Sequence, residues 1–240
     1  MPVTPPQHVT KKSLSRGARL FRALAGVLDP RAYLHVFRLI NYYNYSHVIP
    51  RRQLTLGPDA AISPNAVFSD AERISAGRGL RLGSRCHLWA GPSHGRIVIG
   101  DDVLFGPEVM VTAATYRFED GHPVTKQKMD EADVVIGNDV WFGTRAIVLP
   151  GSRIGDGAII GAGAVVRGTI PDFTIVTGNP AQVVRHRFDA QTTQALQDLA
   201  WWDWPPEAIT AARPALERPD IPALREIHRE FSLANHSTSN

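Results

Sequence analysis

Six large apolar residues recur at a spacing of six in one stretch of the chain: Ile136, Phe142, Val148, Ile154, Ile160 and Val166. Four residues behind them runs a track of small or slim side chains, Val140, Ala146, Ser152, Ala158 and Ala164, and glycine follows the large residue at 137, 143, 155 and 161. A helix repeats every 3.6 residues and a strand every 2, so a period of six describes short strands that turn at regular corners. Glycine at each corner would cost a helix about 1 kcal/mol per occurrence, and the β-branched run broken by IGDG and IGAG favours strands and turns. The register predicts an all-β solenoid, a parallel β-helix of hexapeptide repeats.

The same phase extends upstream through LGPDAA, ISPNAV and Phe68, then LGSRCH and LWAGPS, and it is clear in IGDDVL and FGPEVM at 99–110. Residues 112–133 break the count with a polar, charged stretch containing Gly121 and Pro123, and the repeat resumes at Val134. A long excursion from a regular solenoid projects from one face, where binding surfaces usually form. We therefore divide the chain into an N-terminal helical, basic cap (1–53), a β-helix domain (54–187) carrying the 112–133 loop, and a C-terminal helical tail (188–240).

Composition excludes several classes of function. Lys and Arg number 26 against 23 Asp and Glu, a near balance that argues against a dedicated nucleic-acid binder. The single cysteine, Cys86, rules out an intrachain disulfide framework and a multi-cysteine zinc site, and no metal is expected. Cys86 falls on the small-residue track, so we read it as a packed thiol in a reducing, cytoplasmic setting. No stretch reaches the ~18 apolar residues of a membrane span, and the opening MPVTPPQHVTKKSLSRG lacks the charged-then-apolar order of a signal peptide.

The flanks read as helices. Over residues 14–28, Leu20, Phe21, Leu24, Val27 and Leu28 share one face, with Lys11, Lys12, Arg16, Arg19 and Arg22 nearby. Two readings stay open for it: a cap on the solenoid, or a peripheral membrane contact through residues 11–28. The pair Asp29-Pro30 ends this helix. After the repeat, Asp189 is placed to cap a helix bearing Ala195, Leu196 and Leu199, and Trp201, Trp202 and Trp204 should pack it against an apolar surface. A short helix is expected around 222–231, and disorder in ANHSTSN.

The runs IGNDVWFG, LPGSRIGDGAIIGAGAVV and GNPAQVVRHRF, with the tail WWDWP, resemble the hexapeptide-repeat acyltransferases, whose fold is a left-handed parallel β-helix. This group includes sugar and polysaccharide O-acetyltransferases and antibiotic-inactivating xenobiotic acetyltransferases. The resemblance spans about residues 54–204. It implies a homotrimer of parallel prisms, acetyl-CoA in the groove between neighbours, and a long loop reaching across to the active site.

The chemistry needs a base for the proton of the acceptor and donors for the oxyanion that forms. In the resembling proteins a histidine follows the rung before the long loop, in an Asn-His pair trailed by aromatic and acidic residues and then a glutamine. Here that position is Tyr116, with Thr115 before it and Arg117, Phe118, Glu119, Asp120 and Gln127 after it. A tyrosine phenol, ordinarily near pKa 10, is a poor base at neutral pH unless a cation such as Arg117 lowers it. His122 on the loop, His94 on a corner one coil earlier, and, more weakly, His87 are alternative bases; a fourth reading is that the base is lost.

For the donor, the resemblance carries over to Thr144, Ala162, Arg167 and Arg185, with the Gly143 and Gly161 corners allowing close approach of a ligand. Gln182 stands where a basic residue is common. Trp141 flanks the groove, and Arg117 and Asp120 fall in the acceptor-shaping loop. The expectation is a trimeric acetyl-CoA-dependent O-acetyltransferase acting on a saccharide in polysaccharide or glycolipid assembly, by direct transfer. Antibiotic acetylation and a non-catalytic binding scaffold are the alternatives.

Overall fold

The computed structural model describes residues 15–237. Lys11 and Lys12, counted above with the basic helix, lie outside them. The chain forms two units, Met1–Tyr45 and Ser46–Asn240.

In the first unit, helix α1 (Arg16–Leu28) starts at Ser15, whose side chain accepts from the Ala18 N–H. Asp29 ends α1 and also begins α2 (Pro30–Tyr43), because its carboxylate accepts from the Arg31 N–H at 2.9 Å and Pro30 occupies the first helical position. Proline loses nothing there, since the first N–H groups of a helix have no intrahelical acceptor. The expected stop at Asp29-Pro30 is thus also a start, and α2 was not foreseen.

The second unit is a parallel β-solenoid of about six turns. Its first face stacks Thr55–Leu56, Ile74–Ala76, Ile97–Ile99, Val134–Ile136, Arg153–Ile154 and Thr169–Ile170, all in parallel register. The second stacks Ala61–Ile62, Arg81–Leu82, Leu104–Phe105, Trp141–Phe142, Ile159–Ile160 and Thr174–Thr177. The third stacks Val67–Ser69, His87–Trp89, Met110–Thr112, Ile147–Val148 and Val165–Val166. Every large residue of the hexad track and every residue of its small track is buried. Phe105 and Phe142, on successive coils, stack with ring centroids 4.6 Å apart, and Cys86 is buried in the small track as expected.

Both ends of the solenoid are covered. At the start, the short helix α3 (Ile49–Arg51) buries Pro50, and the Arg51 guanidinium donates to the Ser63 carbonyl. At the far end, strand Gln182–His186 turns antiparallel onto Thr174–Thr177. Helices α4 (Ala190–Leu199), α5 (Pro206–Glu217) and α6 (Ile221–Ser237) form a second core around Phe173, Leu196, Trp202, Trp204 and Leu224. Asp189 caps α4 as expected, accepting from the Thr192 N–H at 2.7 Å. The helix expected at 222–231 is longer, running to Ser237 through residues read as disordered, since Leu233 and Ala234 are good helix formers.

Candidate active site

The excursion is an antiparallel hairpin. Ala114–Tyr116 pairs with Met129–Glu131, and the coil proper is left only after Ala113, whose N–H still bonds the Trp89 carbonyl. Glu131 fastens the hairpin to the preceding coil: its side chain is 3% exposed and accepts the N–H groups of Ser93, His94 and Gly95, the last two at 2.7 and 2.6 Å. Burial opposes its ionisation, but the bonds from Gly95, His94 and Ser93 win and hold the carboxyl at about 2. No sequence pattern singles out this residue, because its partners lie 36–38 positions earlier.

The hairpin stands over the corner that joins the third face to the first. There Tyr116, Arg117, Phe118, Glu119 and Asp130 meet Leu149-Pro150 and Arg167 from the next two coils around a cavity of about 400 Å³. Tyr116 and Arg167, 51 positions apart in the chain, therefore share one cavity wall. The Arg117 guanidinium lies 3.4 Å from both Asp120 and Asp130, so it is held by carboxylates. Asp120 also donates its N–H to Gln127, whose amide bonds the His122 carbonyl, a local frame for the loop tip.

The three histidines do not join Tyr116. His122 is exposed on the loop tip. His94 lines a separate groove on the first face with Thr55, Glu72, Arg73 and Arg96, and its Nδ1 lies 3.5 Å from the Glu131 carboxylate. His87 is half-buried on the third face, where burial pushes its pKa down.

Of the residues matched to the donor, Arg167 lines this cavity and the others fall elsewhere. Gly143-Thr144 and Gly161-Ala162 form the corner between the second and third faces on successive coils. A side chain at Gly143 would collide with the backbone of Ala162, and one at Gly161 with Thr177. Their N–H groups bond the carbonyls of Ile160 and Val176. Coil stacking is therefore one reason for glycine at both corners. Thr144 and Ala162 are exposed residues whose N–H groups have no acceptor among the described residues. Arg185 is exposed on the terminal strand of the second face, its Nη1 3.2 Å from the His186 carbonyl; Trp141 is half exposed on the same face beside Leu104 and Ile159. Arg167 is exposed with no hydrogen-bond or ion-pair partner among the described residues. Sequence reasoning did not anticipate Asp130, Leu149 or Pro150 in the cavity wall.

Residues 133–168 match the family model of the bacterial transferase hexapeptide, six repeats. The chain is 45% identical over 101 residues to a chloramphenicol acetyltransferase of Agrobacterium fabrum, covering 42% of this chain and 48% of that one. It is 29% identical over 184 residues to the galactoside O-acetyltransferase of Escherichia coli, covering 71% and 86%. Among solved structures, a galactoside acetyltransferase in complex with coenzyme A superposes with a TM-score of 0.52 at 27% identity, covering 67% of this chain and 82% of the other. The chain spans about half the length of the chloramphenicol acetyltransferases it matches. It is related, in repeat and in fold, to the hexapeptide-repeat acetyltransferases.

Proposed function

We propose that the protein is an acetyl-CoA-dependent O-acetyltransferase that modifies a saccharide, in polysaccharide or glycolipid assembly. The observation that carries this reading is the cavity beneath the hairpin, where Tyr116, Glu119 and Asp130 supply polar groups and Phe118, Leu149 and Pro150 an apolar wall. Sugars suit such a lining, because their hydroxyls seek acceptors and donors while their C–H faces seek apolar surface. The likeness to a galactoside O-acetyltransferase over most of that protein's length supports the same acceptor class.

The donor-side residues fit a phosphorylated, pantetheine-bearing ligand. Arg167 and Arg185 are exposed cations suited to phosphate, and the free N–H groups of Thr144 and Ala162 suit an amide chain lying along the corner. Acetyl-CoA supplies an acetyl group already activated as a thioester. Transfer is direct: burial raises the pKa of the Cys86 thiol and encloses it, which leaves it no part as a nucleophile. Tyr116 lines the acceptor cavity and is the candidate base there; His122 and His94, which lie outside it, are the alternatives for an acceptor that extends past the cavity. His94 has a carboxylate, Glu131, 3.5 Å from its Nδ1 and placed to orient its ring.

The acceptor cavity and the Thr144–Ala162 corner occupy different corners of one solenoid, so a groove containing both is completed by a neighbouring copy. A cytoplasmic homotrimer satisfies this requirement. The test is direct. Acetyl-CoA should raise the melting temperature, and a panel of saccharide acceptors should release free thiol; neither response with any sugar overturns the reading. Chloramphenicol acetylation is the second reading, favoured by the 45% identity over 101 residues to a chloramphenicol acetyltransferase. Thiol release with chloramphenicol and with no saccharide would establish it instead.

A further inference from the structure

Of the 25 exposed large hydrophobic residues among the described residues, 14 lie at residues 20–45. On α1, Leu20, Phe21, Leu24, Val27 and Leu28 are all exposed, Phe21 at 73%. On α2, Tyr33, Val36, Phe37, Ile40 and Tyr43 recur at helical spacing, every one more than half exposed, with Phe37 at 68%. Arg31, His35 and Arg38 fall on the opposite side of that helix. Local bonds join the two helices. Asp29 caps both, the Arg31 guanidinium pairs with it at 2.9 Å, and the Tyr33 hydroxyl donates to the Val27 carbonyl at 2.6 Å.

Charge is divided in the same place. Residues 1–53 carry nine Lys and Arg against one acidic residue, Asp29, whereas residues 54–240 carry 17 against 22. The modest net charge of +3 thus conceals a strongly basic segment joined to an acidic remainder. No helix among the described residues is long and apolar enough to cross a membrane.

We propose that α1 and α2 together form an anchor that lies in the surface of an anionic lipid bilayer. The apolar faces would enter the boundary between headgroups and acyl chains, and the arginines would remain among the phosphates. Two connected helices offer more apolar area than one, and binding strength scales with the apolar area buried. The acidic remainder favours the same orientation, because an anionic surface attracts the first 53 residues and repels the rest. This inference extends the contact read from residues 11–28 to residue 43. It stands independently of the proposed catalysis.

The experiment is sedimentation of the full-length protein with phosphatidylcholine vesicles with and without phosphatidylglycerol. We expect binding only to the anionic vesicles, weakened by added salt. Replacing Arg16, Arg19 and Arg22 together by serine should lower the partition coefficient on the order of a hundredfold. The double variant Phe21→Asp, Phe37→Asp should abolish binding. All five tryptophans lie at residues 89–204, so a denaturant melt followed by tryptophan fluorescence checks the solenoid unit of each variant without interference from the anchor. Equal binding by the aspartate variant overturns the proposal, as does absence of binding to anionic vesicles. So does loss of oligomerisation in that variant with no lipid binding by the parent, since the apolar faces would then serve a second copy of the chain.

Discussion

The Asp156 carboxylate accepts the backbone N–H of Asn138 at 2.6 Å, and the same step is repeated along one corner of the solenoid. Asn138 accepts from the Asp101 N–H at 2.8 Å, Asp101 from Arg78 at 2.8 Å, and Asp172 from Asp156 at 2.7 Å. Gln197 of α4 then bonds the other oxygen of Asp172, so the ladder continues into the C-terminal cap. Each side chain supplies an acceptor that the backbone of the neighbouring coil lacks.

Replacing Asp156 by alanine leaves the Asn138 N–H without its acceptor and should cost about 1–3 kcal/mol. That corresponds to several degrees in melting temperature for a chain of this size. Asp156→Asn keeps the acceptor and should be neutral or stabilising at pH 7. Burial raises the Asp156 pKa, only partly offset by the bond from Asn138, so the fold disfavours its charged form relative to the unfolded chain. The sign follows: its contribution to stability improves as pH falls through the folded value. Thermal melts of the two variants at pH 7 and pH 5 test both statements.

Glu131 has the opposite sign. Its folded carboxyl value, about 2, lies below the ordinary value of 4.5, so its stabilisation is complete above about 4.5 and is lost as pH falls towards 2. Glu131→Gln should remove most of this acid sensitivity. It should also expose the Ser93–Gly95 amides to hydrogen exchange, with little effect on the solenoid core.

Phe142 is fully buried against Phe105, and Phe142→Ala opens a cavity in the middle of the stack. The expected loss is about 3–5 kcal/mol, read as a fall of roughly 10 °C in melting temperature. Trp141→Ala, one residue away but half exposed on the outer surface, should change stability far less.

On the proposed catalytic reading, Arg167→Ala and Arg185→Ala should each raise the KM for acetyl-CoA by roughly tenfold to a hundredfold, the value of a charge-assisted bond to phosphate. Tyr116→Phe and alanine replacements of His94 and His122 separate the base candidates. The true base loses kcat by two orders of magnitude or more while leaving the KM for acetyl-CoA nearly unchanged.

Much of the solenoid was legible because its signal is local: Ile136 to Val166 repeat within one continuous stretch, and each residue's burial follows from its place in the hexad. The capping role of Asp189 was legible for the same reason. Helix α2 was missed because Pro30 was read as a terminator, although proline at a first helical position is as compatible with a beginning. The cavity was legible in part, through Tyr116 and Arg117, but the place of Arg167 in its wall and the exclusion of the three histidines from it were not.

The amino-acid sequence by itself determined the coil, its corner glycines, its buried columns and the position of the hairpin, because a six-residue period admits few other backbones. Only the tertiary structure decided which side chains meet. Arg167 reaches the Tyr116 cavity, Glu131 holds the amides of residues 93–95, and Asp156 bonds Asn138, because stacking brings residues 16 to 51 positions apart to nearby levels of a shared corner, one for the Asp156 ladder and another for the hairpin. The hexad specifies the pitch of the stack. Which levels the hairpin and each corner side chain meet, which no local pattern records, sets the partners.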